Sequence, residues 1–138
     1  MSGAVIRWRI KDTLLAYMTR DRSFSVTATG GATFGAVEGI ALPAVDVGEG
    51  TWRATGAVTL SAHGGALRVP LIGVRLTRDA LWIEAPDGDA GDQMVRLVTV
   101  HAAPAGGFAT ALAPEADLLF LYNYVPGTPF GELSIESS

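Results

Sequence analysis

Apolar and polar residues alternate with a period of two along much of this chain, and that alternation constrains the fold more than any other feature. Thr51–Ala62 shows it best: Trp52, Ala54, Val58 and Leu60 interleave with Arg53, Thr55, Thr59 and Ser61. Successive side chains of an extended backbone point to opposite faces, so such a run is a strand with one buried and one wetted face. After His63-Gly64-Gly65 the pattern resumes over Ala66–Thr77, with Leu67, Val69 and Leu71 on one face. Two such runs around a short glycine loop predict a hairpin. Further strands are expected at Ser23–Thr29, Ala80–Ala85, Met94–His101, Phe108–Ala111 and Glu132–Glu136. Seventeen Gly and seven Pro, spread along the chain, supply the turns that so many short strands require.

Two segments depart from this texture. Between Trp8 and Thr19, Ile10, Leu14 and Met18 recur at i, i+4 and i+8, with Leu15 widening the stripe, which is helical spacing. On that helix Tyr17 flanks the apolar stripe, and Thr13 lies one turn before it on the same face. Pro114-Glu115-Ala116-Asp117 has the proline and acids of a helix start, and this second helix is expected to reach Tyr122. The predicted fold is mainly β: a single β-rich domain over residues 1–138, a sandwich or partly open barrel. It carries two short α-helices, about Trp8–Thr19 and Pro114–Tyr122. A chain of 138 residues is long enough to bury one core without staples.

Charge and composition narrow the function. The net charge is −4 with no basic run, which argues against nucleic acid and against anionic membrane surfaces. Cysteine is absent, so disulfides, thiolate metal sites, iron–sulfur clusters and Cys nucleophiles are excluded. No apolar run approaches the ~18 residues that span a bilayer, and the N-terminus lacks the pattern of a signal peptide. The expectation is no membrane insertion. As written the chain is expected to be cytoplasmic, or secreted or at the cell surface if it is a domain excised from a longer protein. His63 and His101 are the two histidines, and neither has a second histidine or a carboxylate at zinc spacing. Asp87, Asp89 and Asp92 lack the glutamate of a calcium loop and read as a solvated hairpin tip. His63 reads either as an exposed turn histidine or as an imidazole that Gly64-Gly65 bends toward a site. Tyr17 reads either as a tyrosine on the rim of a core or as a ligand, and Tyr122 and Tyr124 admit the same bland reading. On these grounds alone the chain is a β-rich binding module.

Three ordered stretches add to this. Ile6-Arg7-Trp8-Arg9-Ile10-Lys11-Asp12-Thr13-Leu14-Leu15-Ala16-Tyr17, Gly56-Ala57-Val58-Thr59-Leu60-Ser61-Ala62-His63-Gly64-Gly65-Ala66-Leu67 and Leu119-Phe120-Leu121-Tyr122-Asn123-Tyr124-Val125-Pro126-Gly127-Thr128 resemble, across nearly the whole chain, the HtaA-type haem-binding domain of Gram-positive haem-uptake systems. The resemblance implies a non-enzymatic protein that holds ferric haem b for acquisition, transfer or intracellular handling, with other haem carriers as partners. It puts Tyr17 at the axial ligand to the haem iron and His63 at the hydrogen-bond partner behind it. Thr13 falls at the hydroxyl that meets one propionate, in a position more typically serine, and Tyr124 at the contact to the second, ahead of Tyr122. The chemistry is coherent, since ferric iron is a hard acid that favours an anionic oxygen. A free phenol titrates near ~10, so the phenolate needs the iron and a supporting imidazole. The alternatives are a β-rich module for another hydrophobic ligand or a protein partner and, ranked lower for want of a distal acid–base pair, a haem-dependent enzyme.

Overall fold

In the computed structural model, Ala4, Ile6, Trp8 and Ile10 are all buried while Gly3, Arg7 and Arg9 are exposed, so the chain opens as a strand, β1 (Gly3–Ile10). The structure describes residues 3–35, 39–65, 67–84, 94–103, 107–114 and 127–137. The helix expected from Trp8 begins only at Asp12 and ends at Thr19 (α1). Ile10 fits both periods. Arg7 and Arg9 on either side of Trp8 keep the period of two, and pairing on both edges of β1 holds the segment extended. Leu14, Leu15 and Met18 form the buried stripe of α1, as expected. The second expected helix, Pro114 apart, lies outside the described residues, among which α1 is the one α-helix. No described helix is long and apolar enough to cross a membrane.

Eight strands close a barrel. They are β1, β4 (Gly39–Gly48), β5 (Thr51–Ala54), β8 (Arg75–Leu76), β9 (Ala80–Glu84), β10 (Met94–Ala102), β11 (Phe108–Leu112) and β12 (Pro129–Ser137). Each is hydrogen-bonded to the next, and β12 and β4 both pair with β1 to close the ring. Closure removes the free edges that an open sheet would expose. A short strand, β3 (Thr33–Gly35), adds to the start of β4 on the edge that β5 occupies further along. Pro43 stands in β4 between these two neighbours. The Thr55 N–H donates to its carbonyl at 2.8 Å, so the missing proline N–H faces the gap where β3 has ended and β5 has not begun.

The remaining strands, β2 (Ser25–Thr29), β6 (Ala57–Ala62) and β7 (Leu67–Leu71), form a separate antiparallel sheet in the order β2-β6-β7. The hairpin around His63 is therefore present, but each of its predicted arms breaks in two. Thr51–Ala62 divides at Thr55-Gly56 into β5 of the barrel and β6 of the small sheet, and Ala66–Thr77 divides at Ile72-Gly73-Val74 into β7 and β8. Gly56 makes the first break possible: a β-carbon there would lie 2.9 Å from the Thr29 carbonyl oxygen. The chain thus leaves the barrel at β5, makes the β6–β7 hairpin, and returns beside β5 as β8. Val58, Leu60, Ala62, Val69 and Leu71 seal the small sheet onto the core that β1, α1 and the barrel interior share. β2 is the exception. Every one of its residues is exposed, so the strand expected at Ser23–Thr29 buries neither face of Ser25–Thr29.

Candidate functional site

The small sheet carries His63 to α1. Parity along β6 buries Val58, Leu60 and Ala62 and leaves Thr59 and Ser61 half-exposed, so His63 emerges on the outer side as the sequence implies. A single tight turn at His63–Gly65 follows, in which His63 (φ 55°) and Gly64 (φ 66°) are both left-handed. That turn brings the imidazole against the Tyr17 ring, with centroids 4.8 Å apart and planes inclined by 41°. Tyr17 is 50% exposed although Leu14 and Met18, on the same helix, are buried. Two of the residues singled out by sequence, Tyr17 and His63, therefore do meet, and the phenol stands at the rim of the core with its ring covered on one side.

The carboxylate of Asp21 anchors this turn, and sequence reading missed it. Asp21 directly follows α1 and accepts from the backbone N–H of His63 at 2.8 Å and of Ser23 at 2.9 Å, and from the Ser23 hydroxyl. The Ser23 Oγ in turn accepts from the Gly64 N–H at 2.8 Å. The other carboxylate oxygen lies 3.4 Å from His63 Nδ1. A left-handed non-glycine residue costs roughly 1–2 kcal/mol, and it persists where surrounding contacts over-determine it. Here the Asp21–Ser23 clamp does so. Asp21-Arg22-Ser23 has the look of a turn after a helix, but its partner is 42 positions away, so no local signal could have named it.

Two predictions follow from this geometry. His63→Gly relieves the left-handed strain while deleting the ring contact, which is of similar size, so its stability should stay within about 1 kcal/mol of the parent. His63→Ala deletes the ring and keeps the strain, and it should cost about 1–2 kcal/mol more in urea unfolding. The second prediction concerns pH. The Ser23 hydroxyl first, and the His63 N–H next, hold the Asp21 carboxyl below its ordinary value of 3.8; the Ser23 N–H and the His63 charge add to this, and partial burial opposes it. A carboxylate depressed in the folded state stabilises it above the unfolded value and loses that contribution as pH falls through the lowered one. Protection factors of the His63 and Gly64 amides at pH 4 should therefore match those at pH 6. Exposure of these amides already at pH 4 would contradict the clamp.

Thr13 sits one turn before Tyr17 on α1 and lines a cleft of about 390 Å³ together with Arg9, Ile10, Lys11, Pro129 and Glu132. Neither Tyr17 nor His63 lines that cleft, so the Tyr17–His63 pair and the Thr13 hydroxyl stand side by side rather than in one pocket. Among the described residues Arg9 and Lys11 give the cleft two cations against the one carboxylate of Glu132. Tyr122 and Tyr124 lie outside the described residues, as do Asp87, Asp89 and Asp92. Among the described residues no group of three or more His, Asp or Glu is placed to hold a bare metal ion.

No family model matches the chain, and no curated protein does. Solved structures do. The C-terminal domain of HtaA from Corynebacterium glutamicum superposes with a TM-score of 0.73 at 18% identity, over 99% of this chain and 96% of that one. The fold is that of the HtaA domain. The N-terminal domain of the same protein agrees, with a TM-score of 0.72 at 13% identity over 99% and 97% of the two chains. Coverage this complete means that the HtaA fold accounts for the barrel and the small sheet together.

Proposed function

We propose that this HtaA-fold chain is a haem-binding protein that holds ferric haem b through the phenolate of Tyr17, with His63 supporting the phenolate and Thr13 and Tyr124 meeting the propionates. The observation that carries the reading is the contact between Tyr17 and His63, two residues 46 positions apart in sequence that the fold stacks at 4.8 Å on an exposed rim. The donor set fits the group: a hard phenol oxygen is the ligand type that suits ferric iron, and the phenol is accessible rather than buried. When bound, the haem would supply an iron centre whose positive charge stabilises the phenolate.

The chain's own residues have separable tasks. Asp21, beside Nδ1, fixes the imidazole and leaves Nε2 as the ring nitrogen available to the phenolate oxygen. The Thr13 hydroxyl, flanked by Arg9 and Lys11, offers an anionic group a polar and cationic edge. The role is carriage rather than catalysis.

Hemin titration in a buffer that suppresses haem aggregation tests the reading. The expected result is a saturable Soret change at about one haem per chain with a high-spin ferric spectrum. His63→Gly, which preserves the turn, should weaken retention by roughly 10–100-fold without abolishing binding. Absence of any saturable change at micromolar protein would remove the proposal.

A further inference from the structure

The barrel has a second end, remote from α1. Strand β1 runs into α1 beyond Ile10, and it is antiparallel to β4 with Trp8 opposite Ile40 and Gly3 opposite Val45. The turn that follows β4, at Glu49-Gly50, is therefore at the other end of the barrel from Tyr17. A cavity of about 250 Å³ opens there. Five strands contribute its wall: Trp52 from β5, Leu76 from β8, Val100 from β10, Phe108 from β11 and Ile135 from β12. Register places these on the inward face, since Trp52 pairs with the buried Leu76, and Ile135 with the fully buried Ile6. Leu76 and Val100 form the deep wall at 2% and 5% exposure, whereas Trp52, Phe108 and Ile135 are only partly buried and form a rim.

Eight-stranded barrels either fill their lumen with side chains or hold one small ligand. Here the filling stops short, and two aromatic rings stay partly wetted at the mouth. The space exceeds the ~150 Å³ that takes up benzene and falls below the ~300–1,000 Å³ usual for drug-sized ligands, so a porphyrin is too large for it. Among the described residues one charged side chain lines it, that of Arg78. Gly50 leaves room for that side chain, since a β-carbon there would lie 3.2 Å from Arg78 Nε. No described carboxylate pairs with Arg78, although Glu49 and Asp79 stand in the adjoining turns.

We propose that this open end of the lumen is a second binding site, independent of the Tyr17–His63 pair, for a small carboxylic acid with an apolar tail. The tail would lie against Leu76 and Val100 between the Trp52 and Phe108 rings, and the carboxylate would meet Arg78 at the mouth. Binding would thus combine burial of an apolar chain with one exposed charge pair, the second setting the preference for an acid.

Decanoate is a suitable probe, read by the indole N–H resonance of Trp52, which Trp52→Phe assigns against Trp8 and Trp82. Saturable movement of that resonance is expected, with decanol and the Arg78→Met variant each binding roughly three- to fivefold more weakly than decanoate on the parent. Ile135→Trp, a change at the rim rather than in the deep core, should block binding while leaving the Tyr17 ring signals in place. Absence of saturation, decanoate binding that survives Ile135→Trp, or equal affinity for decanol would each overturn the proposal.

Discussion

Trp8→Ala is expected to destabilise the fold by about 3–5 kcal/mol, the usual range for deleting a buried tryptophan. Against a typical domain stability of ~5–15 kcal/mol this is enough to unfold a large share of the protein at ambient temperature. Trp8 is 1% exposed, packs on Phe130 with ring centroids 6.4 Å apart, and lies where β1 is paired on both edges, so no nearby side chain can collapse into the space without breaking a ladder. Its immediate neighbour supplies the contrast. Arg7 points outward to Glu136 at 2.7 Å in an exposed pair, and Arg7→Ala should cost no more than about 1 kcal/mol. Ile6→Ala should again cost about 2–5 kcal/mol. Urea unfolding of the three variants reads the strand directly. A helical segment would not give costs that alternate residue by residue.

Tyr17→Phe is expected to remove the phenolate-type ferric spectrum and to lower hemin affinity by more than the roughly 100-fold that loss of a supporting residue can cost. The substitution deletes one oxygen and keeps the ring, so the contact with His63 and the stability of α1 should survive. Because Tyr17 is half-exposed and outside the buried stripe, unfolding free energy should change by less than about 0.5 kcal/mol. Loss of haem with unchanged folding is the signature of a ligand. Equal loss of both would mark Tyr17 as a packing residue, and an unchanged spectrum would move the ligand to another side chain, His63 or Tyr124 first.

Much of the architecture is legible in the sequence because a strand with one buried face prints its period directly. The segments assigned to β9, β10 and β11 agree with the structure to within one residue, and the β6–β7 hairpin is centred on His63 as expected. The departures have physical causes. Ile10 belongs to a period of two on its N-terminal side and a period of about four on the other, so the strand-to-helix change at Lys11 is hidden beneath a continuous apolar stripe. The break at Gly56 does not interrupt alternation, because Val58 and Leu60 keep the parity of Trp52 and Ala54 while the chain changes sheets, whereas at Ile72-Gly73 the buried parity shifts from Val69 and Leu71 to Val74 and Leu76. Strand β4, at ten residues the longest among the described residues, carries Pro43, a residue that argues locally against a strand in mid-sheet and is tolerated only because two short neighbours share one edge. At the candidate site, spacing and resemblance draw attention to Tyr17, Thr13 and His63, of which the fold brings Tyr17 and His63 into contact. They do not reach Asp21, because what gives it meaning is a backbone N–H from a distant turn.

The chain contains three tyrosines, so the identity of the iron ligand can be read by isotope. Resonance Raman spectroscopy of the hemin-loaded protein, prepared with ring-deuterated tyrosine, measures it. The account predicts phenolate modes that shift with the label in the parent and vanish in Tyr17→Phe. Label-insensitive spectra, or phenolate modes that persist in Tyr17→Phe, would contradict it.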